Sequence, residues 1–547
     1  MLSHFLRKWS PFGRADAGPT ADRAADGALW HVLPAAAPLF DTPALAEWVR
    51  SGRAVVVKRN LQRTVYRVTL PGGTAFVKVC RANTPRAWVR EILRPPKARL
   101  EFENALRLQS LGLGCTSPLA WGERDSRWPG DSVIVTREQA DAEPLDAYLT
   151  DRLAGTHLGV RRQLAVELGR FVARLHDAGV RHPDPHPGNF LVEVPPSRVP
   201  RFFLLDVHSV RFGPPLPWAE SRDNLVLLNR WFQMRATRAD RGRFWRAYAA
   251  ARMTLELAAT SSQHAGEVEA ATFASNLRFW AARTGRYLGN NRQFRKVKRG
   301  ALRGHAVKEL PDAVLDLLTN DPDAVFAQPG VVLLKDSPSS TVAVTERFIL
   351  KRFRLKKRLA SLRNLLRRSP ALRSWINGHA LLDRGLPTAR PLAVLHRRRH
   401  GLPAEGYVLF EVVEGAVALP DAVTRFDRRA LADRLGRLLR AMHDRQVSHK
   451  DLKAPNVLVT PAGDPVLIDL VGVTAGRPVP ELQRIRELTR LAASFVDSPA
   501  VSRTDRLRVL RAYLGANRGD WKVWWTRIAV GVRAKVRRNA NLGRPLG

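Results

Sequence analysis

The sequence predicts an α+β chain in which one two-lobed fold, a small antiparallel sheet followed by a lobe of helices, occurs twice in tandem. Three observations carry that expectation. HPDPHPGNFLV (182–192) and HKDLKAPNVLV (449–459) share the skeleton H-x-D-x-x-x-x-N-x-L-V. The segments around them also pair in one order. LGRFVARLHDAGVRHPD (168–184) matches LGRLLRAMHDRQVSHKD (435–451), and TRADRGRFWRAYAAAR (237–252) matches SRTDRLRVLRAYLGAN (502–517). TVYRVTLPGGTAFVKV (64–79) matches TVAVTERFILKRF (341–353) more loosely. Finally, β-rich runs precede the shared loop in each copy and helical patterns follow it. Anchors repeated in the same order mark a duplicated fold rather than a recurring motif.

Taken along the chain, residues 1–28 are polar and rich in alanine and glycine, and partial disorder is expected there. AVVVKR, TVYRVTL and TAFVKV are short, β-rich and separated by turns, which predicts antiparallel strands. RLEFENALRLQSLG (99–112) has helical apolar spacing and ends on glycine. RRQLAVELGRFVARLHDAG (161–179) is an amphipathic helix running into the His-x-Asp loop. FLVEV and RFFLLDVHSV then read as strands, and mostly helices follow. This gives a first domain over 29–290, a basic linker over 291–328 opening with NNRQFRKVKRG, and a second domain over 329–547.

Composition bounds the function. Of 547 residues 45% are hydrophobic and 26% charged, a globular rather than disordered balance. The two cysteines, Cys80 and Cys115, match no metal-ligand spacing, and a chain this long with so few points to a reducing, cytoplasmic setting. No apolar run reaches spanning length, and MLSHFLRKW has no long apolar core behind its charges. The net charge of +40 suits an anionic partner, although arginine-rich composition throughout the chain accounts for part of it. KRFRLKKRLASLRNLLRR (351–368) concentrates that charge locally. No nucleic-acid recognition motif accompanies it, so no nucleic acid is expected. The C-terminal DWKVWWTRIAVGVRAKVRRN (520–539) admits two readings: contact with an anionic membrane surface, or a helix packing its tryptophans on the adjoining lobe.

The loop and the layout around it resemble the protein-kinase-like superfamily. Within it the chain is similar to the lipopolysaccharide core kinases that phosphorylate Kdo or heptose. The likeness lies in STVAV and FILKRF, in RSWINGHALLDRGLPTARPLAVL (373–395) and in TDRLRVLRAYL (504–514), and extends over nearly everything except the N-terminal segment. It implies two bilobal kinase-like domains using ATP and Mg²⁺ to phosphorylate a hydroxyl, on an inner-core sugar of lipopolysaccharide, at the inner face of the cytoplasmic membrane. A Ser/Thr protein kinase, or one active domain regulated by a nucleotide-binding pseudokinase, are the alternatives.

Roles follow from the resemblance. In the first copy Lys78 would contact the α- and β-phosphates, with Glu101 as its partner. Asp184 would be the catalytic base, and Asn189 and Asp206 the metal ligands. The second copy assigns the same roles to Lys351, Asp451, Asn456 and Asp469. His182 and His449 would brace their loops. His186 stands two residues after Asp184, as in small-molecule kinases. Lys453 stands two after Asp451, as in Ser/Thr kinases, where that lysine steadies the transferring phosphate. Both copies lack a Gly-x-Gly-x-x-Gly loop. Ser339 and Ser340 in DSPSSTVAV either offer groups to phosphate or form an ordinary hairpin turn. The largest departure is in the second copy. Glu101 lies eleven residues before Gly112, but the position eleven before Gly385 is Ser374, and no acidic residue occurs between Lys351 and Asp383. Asn377 or Asp469 would have to take part of the missing task.

Overall fold

In Arg63–Leu70 the residues Thr64, Tyr66, Val68 and Leu70 are buried while Arg67 and Thr69 are exposed. That period of two makes a strand with one face in the core. The next strand buries Ala75, Val77 and Val79 by the same alternation, which turns Lys78 to the opposite face. These strands belong to a computed structural model of the chain that describes residues 20–23, 28–39, 45–124, 128, 130–152, 158–197, 199–255, 261–354, 368–399 and 402–541. The chain divides into two units, Met1–Ser275 and Asn276–Gly547.

The first unit begins with β1 (Thr20–Arg23), β2 (Ala28–Val32), α1 (Leu45–Arg50), β3 (Ala54–Arg59), β4 (Arg63–Leu70) and β5 (Gly73–Cys80). Helices α2 (Pro85–Leu93) and α3 (Lys97–Ser110) and strands β6 (Pro118–Arg124) and β7 (Ser132–Arg137) complete this lobe. Its seven strands run in the antiparallel order β1-β2-β6-β7-β5-β4-β3. Trp30, Trp48, Val68, Val77 and Val135 form the core on one face of the sheet. The rest of the unit is mostly helical, with α4 (Leu158–Asp177), α5 (Trp218–Arg235) and α6 (Arg238–Ala251), and α7 (Ser261–Thr284) leads out of it. Short strands β8 (Ala142–Pro144), β9 (Val180–Arg181), β10 (Phe190–Glu193), β11 (Arg201–Leu204) and β12 (Arg211–Phe212) frame the loop, as sheets β11-β10-β8 and β12-β9.

The second unit repeats this order. Strands β13 (Phe294–Arg299), β14 (Leu302–Val307), β15 (Val332–Ser337), β16 (Ser340–Val344), β17 (Phe348–Arg354), β18 (Pro391–Arg399) and β19 (Leu402–Glu411) pair as β13-β14-β18-β19-β17-β16-β15. Helices α8 (Asp312–Asn320) and α9 (Pro370–Asp383) accompany them. Strands β20 (Val417–Ala418), β21 (Val447–His449), β22 (Val457–Val459), β23 (Pro465–Leu467) and β24 (Val473–Ala475) form β20-β22-β23 and β21-β24. The helices are α10 (Leu419–Arg425), α11 (Arg428–Asp444), α12 (Glu481–Ala493), α13 (Arg503–Leu514) and α14 (Trp521–Asn541). Strand for strand, the two sheets have one topology, so the α+β tandem arrangement holds.

Helix packing repeats as well. A Cβ on Gly169 would come within 2.5 Å of the Phe244 carbonyl oxygen, and one on Gly436 within 2.6 Å of the Ala512 Cβ. Glycine in mid-helix costs about 0.5–1 kcal/mol relative to alanine. Here it lets α4 lie against α6, and α11 against α13, at backbone contact.

One expected boundary is corrected. The stretch 291–328 is not a linker: it holds β13, β14 and α8, and Phe294, Val297, Leu302, Ala306 and Leu315 are core residues of the second unit. FRKVKR has only two apolar residues among its cations, which concealed a sheet strand in a basic run. Within the segment 1–28, expected to be disordered in part, Thr20–Arg23 forms β1 and pairs with β2, Thr20 with Val32; residues 1–19 and 24–27 are outside the described residues. Most of the basic run 351–368 is also outside them. At the C-terminus Trp521, Trp524, Trp525 and Ile528 pack against the helical core of the second unit, and Arg527 pairs with Glu481. Of the two readings of this segment, helix packing is the one realised by its tryptophans.

Candidate active site

The site of the first unit grows from three elements. β5 supplies Lys78, α3 supplies Glu101, and the turn after β11 supplies Asp206. Lys78 Nζ lies 2.6 Å from Glu101 Oε1 and 2.8 Å from Asp206 Oδ1, with Glu101 almost wholly buried. Burial alone would push the ammonium down, but Glu101 and Asp206 outweigh it and hold Lys78 above its usual value. Asp206 shows the converse: burial would raise its carboxyl, yet Lys78 and Arg63 hold it well below the usual carboxylate range. Arg63 of β4 was not anticipated. One of its terminal nitrogens lies 2.8 Å from both carboxylate oxygens of Asp206.

Asp206 has φ 56° and ψ 40°. Non-glycine residues in that region cost of order 1–3 kcal/mol and cluster at functional sites. Its counterpart Asp469 has φ 56° and ψ 63°, so the strain repeats. Asn104 on α3 donates to the Val207 carbonyl at 2.8 Å, and Asn377 on α9 donates to the Leu470 carbonyl at 2.9 Å. Each asparagine thus holds the residue that follows the strained aspartate. This pair was legible in the repeat, because Asn104 stands three after Glu101 and Asn377 three after Ser374.

The two loops are built alike. Asn189 Nδ2 donates to the Asp184 carbonyl at 2.9 Å, and Asn456 Nδ2 to the Asp451 carbonyl at 2.8 Å. His182 Nδ1 accepts from the Asp184 N–H at 3.1 Å, and its Nε2 faces the Leu205 carbonyl at 3.3 Å. His449 Nε2 faces the Ile468 carbonyl at 3.0 Å. Behind them, His176 contacts Tyr248 and Asn224, and Asn224 donates to the His182 carbonyl at 2.6 Å. In the second unit His443 contacts Tyr513 and Glu487, and Glu487 accepts the His449 N–H at 2.9 Å. Both loops rest on fully buried polar networks, which fix their shape.

In the second unit Lys351 Nζ lies 2.7 Å from Asp469 Oδ1, which holds that carboxyl below its usual value against the opposing effect of burial. Ser374 is buried with its hydroxyl donating to the Pro370 carbonyl at 3.0 Å. Asn377 donates to Leu470 and Val473, both at 2.9 Å, and makes no bond to the lysine. Of the two candidate substitutes, Asp469 is the one in contact. Ser339 and Ser340 lie at the β15–β16 turn. Ser337 Oγ donates to the Ser340 carbonyl at 2.9 Å and contacts Ser339 Oγ at 3.3 Å, so these hydroxyls close the hairpin on itself. Ser339 is exposed at the tip and Ser340 buried. His186 Nδ1 accepts from the Gly188 N–H at 3.1 Å, capping the turn that carries Asn189. Lys453 Nζ lies 3.9 Å from Asp451 Oδ2.

The donor set suits a hard divalent cation, which takes oxygen ligands from carboxylates and amides. Glu101, Asp206 and His208 place one ligand atom each within 4.8 Å of one another. His208 had no place in the sequence reading; its Nδ1 is 3.9 Å from Asp206 Oδ1. Asp206, flanked by Lys78 and Arg63, is the carboxylate that a metal and a polyphosphate would meet.

A family model described as the lipopolysaccharide kinase (Kdo/WaaP) family matches residues 46–248 and 347–513, one span in each unit and together more than half of the chain. The chain belongs to that family. A 3-deoxy-D-manno-octulosonic acid kinase from Xylella fastidiosa is 31% identical over 134 residues, covering 22% of this chain and 53% of the relative. One from Stenotrophomonas maltophilia is 34% identical, covering 26% and 58%. The lipopolysaccharide core heptose(I) kinase WaaP of Escherichia coli is 25% identical, covering 38% and 81%. The chain therefore spans about half the length of the curated octulosonic acid kinases it matches. Among solved structures, WaaP in complex with acyl carrier protein is 24% identical with a TM-score of 0.31, covering 44% of this chain and 98% of that one. Within this lipopolysaccharide kinase family member, the Lys–Asp pair and the His-x-Asp loop occur in both units, and the glutamate only in the first.

Proposed function

We propose that the first unit transfers the γ-phosphate of ATP to a hydroxyl, on an inner-core sugar of lipopolysaccharide, and that both units bind Mg²⁺–ATP. The observation that carries this is Lys78 held at 2.6 Å from Glu101 and 2.8 Å from Asp206, beside a loop that leaves Asp184 exposed. Phosphoryl transfer needs little covalent help from a protein; it needs phosphates and metal held still and a carboxylate for the attacking hydroxyl. Lys78 would hold the α- and β-phosphates, Asp206 and Asn189 the metal, and Asp184 would orient the hydroxyl and take its proton. Lys351, Asp469, Asn456 and Asp451 would do the same in the second unit, with Lys453 near the transferring phosphate. Family membership and the names of the relatives supply the acceptor class. No helix among the described residues is long and apolar enough to cross a membrane. The net charge of +40 supports a peripheral position on an anionic membrane surface, the cytoplasmic face in our reading.

Ser374 in place of a glutamate favours a second reading for the second unit alone, as a nucleotide-binding regulator of the first. Mass spectrometry of lipid A–core from cells with and without the protein tests the main reading. Loss of one phosphate from a core sugar is the expected result, and an unchanged core in cells that otherwise express the protein would sink it.

A further inference from the structure

The bases of the two units have different surroundings. Asp184 is exposed and has no cation within ion-pair distance among the described residues. Asp451, by contrast, has Lys453 Nζ 3.9 Å from one carboxylate oxygen and an Arg490 terminal nitrogen 4.0 Å from the other. Both cations lack counterparts in the first unit. His186 stands in the place of Lys453. Asn224 and Glu487 mark equivalent positions, since each holds the loop-bracing histidine network, so three residues on, Leu227 stands where Arg490 does.

A third cation comes from outside the family match, which ends at residue 513. Helix α14 lies against α12: a Cβ on Gly531 would come within 2.9 Å of the Thr489 side chain, and Arg527 pairs with Glu481. Lys535 is one turn beyond Gly531 on that same face. The end of α12 adjoins the loop, where Ser494 Oγ accepts the Ala454 N–H at 3.2 Å. Lys535 is half-buried and within electrostatic reach of all three groups: burial, then Arg490, lower its ammonium, Asp451 raises it, and Lys453 lowers it.

We propose that Arg490 and Lys535, together with the Lys453 that also faces the transferring phosphate, form an anion-binding site beside Asp451, which seats a phosphate or carboxylate of the acceptor while its hydroxyl meets the base. Three cations face one carboxylate, so the cluster keeps surplus positive charge, and all three are half-buried, which strengthens their pull on an anion. The second unit thereby takes an acceptor that already carries an anionic group, and the first unit does not require one. The inference rests on the reading of Asp451 as the group that faces the acceptor.

The test uses the full-length protein saturated with Mg²⁺ and a non-hydrolysable ATP analogue, which fills the nucleotide phosphate positions. It is titrated calorimetrically with inorganic phosphate, and with delipidated core oligosaccharide that is intact, stripped of phosphate, or reduced at its carboxyl groups. The double variant Arg490→Gln/Lys535→Gln should bind phosphate at least about tenfold more weakly, a change of about 1.4 kcal/mol. Lys535→Arg should retain binding. An unchanged melting temperature and analogue affinity show that the variant is folded; if α14 loosens, Arg490→Gln alone carries the comparison. The stripped oligosaccharide that loses affinity identifies phosphate or carboxylate as the seated group. If wild type binds no phosphate, or the double variant binds it equally well, the site does not exist. If phosphate binding is lost in the variant but no oligosaccharide binds the wild type, the anion site stands and the core-sugar reading falls.

Discussion

Lys351 lies 2.7 Å from Asp469, the one carboxylate within ion-pair distance of it among the described residues, whereas Lys78 bridges Glu101 and Asp206. The consequence is a conflict of duties. Asp469 alone would both fix the lysine and serve any metal, while in the first unit Glu101 shares the lysine with Asp206.

Ser374→Glu should relieve that conflict. Its position corresponds to Glu101, and its side chain is buried on the face of α9 that holds the Asp469 turn through Asn377. With Lys78→Met in both proteins to silence the first unit, Mg²⁺–ATP affinity should rise about tenfold, within the range for a charge-assisted contact. Glu101→Ser in the otherwise native chain should weaken the first unit comparably. Calorimetry reads both, and unchanged affinities would show that the lysines are placed by other means.

Arg63 occupies both oxygens of Asp206, and the equivalent register position on β16 is Ser340, since Lys78 pairs with Val65 and Lys351 with Val342. A divalent cation must displace that guanidinium from the carboxylate. Arg63→Ala should therefore tighten Mn²⁺ binding in the absence of nucleotide, by about tenfold if one charge-assisted contact is displaced. Electron paramagnetic resonance measures free Mn²⁺ directly. Weaker binding in the variant would mean that Arg63 shapes the site rather than competing for it.

The sequence made legible what periodicity and repetition carry. β4 and β5 alternate cleanly, α4 and α11 share LGR and HD around a packing glycine, and each loop keeps His, Asp and Asn in register. It concealed what depends on which faces meet. β13 reads as a basic linker because Phe294 and Val297 are three apart among cations, out of step with strand alternation. Arg63 has no partner in the repeat, so nothing in the sequence marks it. Lys535 lies in a helix beyond both matched segments, and only the packing of Gly531 on Thr489 brings it toward the loop of Asp451.

The repeated glycines give a stability prediction. Gly169→Ala and Gly436→Ala each force a methyl group into the backbone of the facing helix, where overpacking costs typically about 1–3 kcal/mol. That loss exceeds the gain in helix propensity, about 1 kcal/mol at most. Chemical denaturation should place each variant below the parent, and an increase in stability would mean the helices can part without cost.

Acid should destabilise the fold through buried histidines. Burial lowers His176 from 6.5 to about 4 and His379 to about 3. His379 sits among Trp375, Phe294 and Tyr287, with Nε2 lacking a hydrogen-bond partner among the described residues. Between the folded and unfolded values the unfolded chain holds a proton that the folded chain refuses. Stability is therefore full above about pH 6.5 and falls toward pH 4, by up to about 1.4 kcal/mol per pH unit for each such histidine. Denaturant unfolding of wild type and His379→Phe from pH 7 to 4.5 should show a shallower decline in the variant. Parallel curves would assign the acid sensitivity to other groups.

The two His-x-Asp loops give the prediction that separates the units. The first combines Lys78, Glu101, Asp206 and Asp184; the second keeps Lys351, Asp469 and Asp451 but has Ser374 where the glutamate would be. A positioned general base contributes typically about 10²–10⁴-fold. Asp184→Asn should accordingly remove most phosphoryl transfer to a lipid A–core acceptor. Asp451→Asn should reduce it less, because what is lost is either one of two activities or the influence of a regulator. Asparagine keeps the size of the side chain, and neither carboxylate is deeply buried, so both variants should fold, as circular dichroism can check. If Asp451→Asn is inactive while Asp184→Asn is normal, the assignment reverses. Asp469 alone would then suffice to position Lys351, and the complete set around Lys78 would belong to the unit that binds nucleotide without turning it over.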